Sequence, residues 1–206
     1  MKSLCTQVIL AMALTIGLGS TAYATDAATP DSDTPYVLLT TNMGNITLKL
    51  YADKAPITVA NFLRYVDSGH YDNTVFHRVI NRFMVQGGGF DVDMVEKPTG
   101  DAIVNESKNR VHNVRGTVAM ARTSDPDSAS AQFFINQRSN LRLDWSPGKP
   151  GYAVFAEVVN GMDVVDFIAT AKTGRALATT TQGQAPFNDV PVEPIIVNSA
   201  TRVAAP

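Results

Sequence analysis

The chain of 206 residues is 45% hydrophobic and 17% charged, with 14 Gly and 11 Pro. Those are values of an ordinary folded protein, and they exclude collagen-like, coiled-coil and strongly disordered classes. One cysteine excludes a disulfide scaffold and any zinc site built on several thiolates, and a formal charge of −2 supplies no global field toward nucleic acid or anionic lipid.

Residues 1–24 read as a signal peptide. Lys2 gives a positive start, no charge occurs from Ser3 to Thr25, Val8 to Leu18 is apolar, and Ala22-Tyr23-Ala24 forms a small-residue cleavage site. A retained membrane anchor is the competing reading. The apolar run falls short of the roughly 20 residues a spanning helix needs, so no stable membrane insertion is expected after its removal. Cys5 precedes the run, where a lipid-modified cleavage cysteine would not sit, and is given no role. Removal leaves 182 residues with 16 basic groups, 19 acidic groups and no cysteine, a composition compatible with an oxidising exported compartment.

Residues 25–35 are small and polar with two prolines, a flexible lead-in to a single domain at 36–206. Tyr36–Thr40 and Asn45–Leu50 flank Asn42-Met43-Gly44 and predict a β-hairpin, with Ile46, Leu48 and Leu50 alternating inward. Pro56 opens a helix that sets Val59, Phe62, Leu63 and Val66 on one face and ends near Gly69. Short apolar runs follow at Val75-Phe76, Val79-Ile80, Phe83–Val85, Thr117–Met120, Phe133–Ile135 and Ala153–Phe155. A second helix fits Met162–Ala169, Thr179–Gly183 reads as a polar loop, and Pro194–Val197 reads as a closing strand. Many short strands, two amphipathic helices and no regular βαβ alternation predict a mainly β fold, an antiparallel barrel or sandwich with helices at its ends.

The common catalytic signatures are missing. No Gly-x-Ser-x-Gly elbow occurs, and the chain after residue 24 has no thiol nucleophile. Gly87-Gly88-Gly89 lacks the Lys-Ser/Thr of a phosphate loop and reads as a tight turn, while His70, His77 and His112 lack zinc-motif spacing. No metal and no cofactor are expected. One segment stands out: Phe76 to Phe90 carries Arg78, Gln86 and the apolar pair Phe83-Met84 within nine positions. On adjacent antiparallel strands these would put a guanidinium, an amide and an apolar wall on one surface. Spacing alone favours a plain barrel strand, with Phe83 in the core and Arg78 in a surface ion pair.

That segment resembles the signature of the cyclophilins, peptidyl-prolyl cis-trans isomerases. Met120 to Ile135 resembles the family's other signature, as does Gly151–Phe155, and the likeness runs in order from Tyr36 to the C-terminus. It is nearest to the periplasmic cyclophilins of Gram-negative bacteria, which also carry a signal peptide. The resemblance implies an eight-stranded antiparallel closed barrel capped by two α-helices, and isomerisation of Xaa-Pro bonds in exported polypeptides in the periplasm. It further implies a catalytic Arg78, a proline pocket of Phe83, Met84, Gln86, Ala121, Phe134 and Leu143, and a neighbouring polar Gln132. Tyr152 stands where many eukaryotic members carry histidine. Arg142 departs from the family: eukaryotic members usually carry tryptophan there and bacterial ones often phenylalanine. Cyclosporin-type inhibitors are therefore expected to bind weakly. Asn81-Arg82 replaces a common Pro-Gly turn. The partners implied are proline-containing unfolded or partly folded polypeptides and no nucleic acid, and a monomer is expected.

These residue types suit the reaction. Rotation about a prolyl bond breaks no covalent bond; its barrier, on the order of 20 kcal/mol, is lost amide resonance. The twisted prolyl nitrogen regains a lone pair, so a fixed, always-protonated guanidinium beside it binds the twisted form better than either planar isomer. Gln86 is expected to orient that guanidinium. His77, one position away on a strand, is expected to face away as a packing residue. The alternative from another class is a cyclophilin-fold binding module or holdase without turnover, which has no use for a transition-state donor at Arg78.

Overall fold

The computed structural model describes residues 34–206. The signal peptide and cleavage site expected at 1–24, and positions 25–33 of the expected lead-in, lie outside the described residues. β1 (Tyr36–Thr41) and β2 (Gly44–Leu50) form the expected hairpin, in register from Tyr36↔Lys49 to Thr41↔Gly44. Gly44 takes a φ of 132°, and a Cβ there would meet Val164 Cγ2 at 2.8 Å, so the turn needs glycine on both counts.

Helix α1 (Pro56–Asp67) opens on proline and buries Val59, Phe62, Leu63 and Val66, the face read from the sequence. Its N-cap, Ala55, has no side chain to satisfy the first amides. Glu106 does so from 49 residues along the chain. Its carboxylate accepts from Ile57 N at 3.1 Å and from the amide and hydroxyl of Thr58, each at 2.7 Å.

The main sheet continues through β3 (Thr74–Val75), β4 (Arg78–Ile80), β5 (Met84–Gly87), β6 (Thr117–Met120), β7 (Phe133–Asn136) and β8 (Val154–Asn160). Helix α2 (Met162–Ala169) follows, then β9 (Thr173–Thr180), β10 (Gly183–Pro191) and β11 (Ile196–Val203). The strand order is β3-β11-β1-β2-β8-β6-β7-β5-β4, antiparallel throughout. Its two ends, β3 and β4, are one stretch of chain interrupted only at Phe76-His77. Counted as a single strand they pair with β11 on one side and β5 on the other, and the sheet returns on itself as eight strands. Closure removes the exposed edges that an open sheet would present.

Inside, Val37, Leu39, Ile46, Leu48 and Leu50 meet the buried face of α1 and that of α2, Val165, Ile168 and Ala169. Phe62 anchors the packing, with ring centroids 5.1 Å from Tyr71, 5.7 Å from Phe133 and 5.0 Å from Phe155.

Two expectations need correction. Thr179–Gly183 is the tip of the β9–β10 hairpin, which forms its own two-stranded sheet. Small inward residues such as Ala176 and Ala178 left no strand pattern to read, and the hairpin docks through them and Phe187 onto Phe90 and Met94. The closing strand β11 starts at Ile196 rather than Pro194, because Pro194 has no amide to give the ladder.

Candidate active site

The site arises from register. Across the barrel wall Arg78 faces Gln86, Gln86 faces Phe134, Phe134 faces Ala119, and Ala119 faces Val154. Directly paired residues share a face of the sheet. The next row, Val79, Val85, Ile135, Val118 and Ala156, points the other way and fills the barrel core. Thus one row supplies stability and its neighbour the outward site.

On that outward face Met84, Ala119, Phe134 and Val154 form a separate apolar cluster flanked by Phe83, Ala121, Leu143 and Tyr152. Part of this cluster floors a cavity of about 220 Å³ lined by Arg78, Phe83, Met84, Gln86, Ala121, Arg122, Phe134, Leu143 and Tyr152. The volume is below the roughly 300–1,000 Å³ of pockets that take drug-sized ligands, a fit for one small ring. A larger hollow of about 570 Å³ lies beside Tyr51; it too has apolar lining in Leu50, Ala52 and Val111, but it also carries the Asp53–Lys54 ion pair and Lys49 and holds none of the residues inferred from sequence.

Eight of the residues inferred from sequence meet in this cavity. Gln132 does not line it, but its Oε1 accepts from Gln86 Nε2 at 3.1 Å. The expected bond from the Arg78 guanidinium to the Gln86 Oε1 is not formed among the described residues, and the Gln86 amide meets Gln132 through its Nε2 instead. Gln132 also lies close over Gly89, where a Cβ would meet its Cδ at 2.5 Å. The partly exposed Arg78 guanidinium has no hydrogen-bond or ion-pair partner among the described residues.

Arg122 was missed as a lining residue, although it directly follows Ala121. Nε donates to Gly151 O at 3.2 Å, Nη2 to Pro150 O at 2.9 Å and Nη1 to Thr123 O at 2.8 Å. Its charge stacks 4.5 Å over the Tyr152 ring, which in turn sits edge-on to Phe134 at 5.6 Å. Arg142 is exposed and lies 4.8 Å over the ring of Phe83, a wall of the cavity.

Behind the cavity runs an amide network that spacing could not reveal. Buried Asn136 donates to Asn113 Oδ1 at 3.1 Å and accepts from Asn140 at 2.8 Å, and Asn140 also donates to Phe83 O at 2.9 Å. Asn113 donates to Asp144 Oδ1 from its backbone at 2.7 Å and its side chain at 3.0 Å, and His112 meets the other oxygen at 2.7 Å. Burial pushes the Asp144 carboxyl up, but these donors outweigh it and hold the group below its ordinary range. The network thus tethers Phe83 and the turn carrying Leu143.

His77 is buried between the barrel and the hairpin, 4.8 Å from the Phe90 ring and 6.2 Å from Phe187. Burial holds its imidazole down at about 4. It is a packing residue, as its position beside Arg78 predicted.

Comparison with known proteins agrees with this geometry. Residues 36–202 match the family "Cyclophilin type peptidyl-prolyl cis-trans isomerase/CLD". Peptidyl-prolyl cis-trans isomerase A of Dickeya dadantii is 47% identical over 192 residues, covering 93% of this chain and 95% of the relative. Isomerase B of Escherichia coli is 52% identical over 164 residues, covering 78% and 95%. Among solved structures, a cyclophilin-type isomerase of Cryptosporidium parvum shares the fold with a TM-score of 0.67 at 23% identity, over 84% of this chain and 99% of that one. The same protein has been solved in the presence of the dipeptide Ala-Pro. Fold, cavity and relatives converge: the chain belongs to the cyclophilin-type peptidyl-prolyl cis-trans isomerases, enzymes that rotate Xaa-Pro bonds without a cofactor.

Proposed function

We propose that the 220 Å³ cavity is where isomerisation occurs and that Arg78 is its catalytic residue. The supporting observation is an unpaired guanidinium at the edge of an apolar floor, in the same register row as Phe134. Met84, Phe134, Leu143 and Phe83 hold the proline ring while the carbonyl of the preceding residue swings. Water that would favour the planar, more polar amide is excluded by the same wall. Arg78 donates to the prolyl nitrogen only as the bond twists and its lone pair appears, which is differential binding of the transition state. Gln86 and Gln132, joined to each other, offer amide groups to the substrate backbone. No proton is transferred and no group changes charge.

The natural substrates are proline-containing polypeptides that are exported and still folding. The charge-free apolar run ending at Ala22-Tyr23-Ala24 supports export to the periplasm of a product beginning at Thr25; intact mass of the periplasmic protein tests it, and retained residues 1–24 would refute it. Arg142 presents a flexible cation where an indole would offer dry flat area, which supports weak cyclosporin binding.

An NMR titration with the dipeptide Ala-Pro tests the location. The amides of Gly87, Ala121, Phe134 and Leu143 are expected to shift together with one saturation curve. Shifts confined to the hollow at Tyr51 would contradict the assignment.

A further inference from the structure

Arg142 has a consequence for substrate choice, which rests on reading the cavity as the proline site. It lies on the single 3-10 turn Leu141–Leu143, and its carbonyl accepts from Lys149 Nζ at 2.5 Å. Its guanidinium carbon lies 4.8 Å from the centre of the Phe83 ring, a wall of the cavity. Contact with the ring leaves its N–H groups available, and a guanidinium with free donors grips a carboxylate through two parallel bonds. Among the described residues no carboxylate pairs with it.

The candidate neighbours are already engaged. Asp144, two positions on, is spent on Asn113 and His112. Asp125 and Asp127, on the loop beyond Arg122, accept from the backbone amides of Asp127 and Asn105. The cavity lining therefore includes Arg78 and Arg122 and no acidic side chain, with Arg142 over one wall and Lys149 behind it. On a chain of net charge −2 this is a local positive rim.

We infer that Arg142 is a specificity-determining residue that favours proline segments carrying an acidic side chain next to the proline. Its carboxylate contact is remote from the twisting bond and equally available to planar and twisted amide. Such uniform binding lowers KM and leaves kcat alone. The contact is exposed, so its size is that of a surface ion pair, about three- to fivefold in kcat/KM. It should shrink as salt shortens the screening length from about 30 Å at 0.01 M to about 8 Å at 0.15 M.

The test uses acylated and amidated peptides, which remove terminal carboxylates, with Glu, Gln or Lys placed before or after one proline. NMR exchange between cis and trans peaks gives the rates without a coupling protease. The expected result is Glu above Gln above Lys at one flank, expressed in KM, with the Glu-to-Gln ratio collapsing toward one in Arg142→Gln and in high salt. A ratio of one in the natural protein, or the same ratio in Arg142→Gln, would overturn the inference. Running Arg78→Ala on the Gln peptide separates the two claims. If its turnover is unchanged, the site assignment itself fails. If its turnover is lost while the natural protein shows no preference for Glu, only the inference about Arg142 fails.

Discussion

Adjacent residues Arg78 and His77 show how one step along a chain separates chemistry from packing. Arg78 lines the cavity and is partly exposed, whereas His77 is 1% exposed and its imidazole is held down at about 4 by burial. Between that value and its ordinary 6.5, the unfolded chain binds a proton that the folded protein does not. Stability therefore falls as pH drops from 6.5 toward 4, by about 3 kcal/mol for this residue. Denaturant unfolding at pH 7, 5.5 and 4.5 should show a distinctly smaller loss for His77→Leu. Some slope should remain, because burial also lowers His70. Parallel losses in the two proteins would mean that His77 is not sequestered. Catalysis should meanwhile be flat from about pH 6 to 8, since neutral His77 takes no part and arginine does not titrate there.

At the scale of elements, the motif residues of the site were legible and their support was not. Period-two alternation gave β2, the proline start and apolar face gave α1, and Met162–Ala169 was correct to the residue. Signature motifs named the lining because most of its residues lie within two short stretches of the chain, Phe76 to Phe90 and Met120 to Ile135. The Asn113–Asn136–Asn140 network escaped because its members come from two loops and a strand, and polar residues dispersed in sequence give no periodic signal. The β9–β10 hairpin escaped because its buried face is mostly alanine, with Phe187 and Val190 split by a register shift, and Arg122 because its three carbonyl partners depend on loop geometry. The network has a measurable weight. Asn113→Ala removes one bond each from Asn136 and from the Asp144 carboxylate, which keep Thr117 and the residue-113 backbone amide, so the loss expected is about 1–2 kcal/mol. A lower urea midpoint with unchanged slope is expected, and a change within about 0.5 kcal/mol would show that water replaces the side chain without loss.

For the whole molecule, a closed barrel divides its labour between the two faces of one wall. Inward rows carry the core, and the adjacent outward row carries a shallow site that needs no moving lid, metal or nucleophile to turn an amide. Rigidity suits such chemistry, because the donor must already stand where the lone pair will form. The central claim is that the Arg78 guanidinium supplies transition-state binding on this fixed surface. Measuring kcat/KM for a short proline peptide with Arg78→Ala tests it most directly, with circular dichroism confirming an intact barrel. The expected loss is about 100- to 1000-fold, the scale of one preorganised donor at about 2.7–4 kcal/mol. Undiminished isomerisation by a correctly folded Arg78→Ala protein would contradict it.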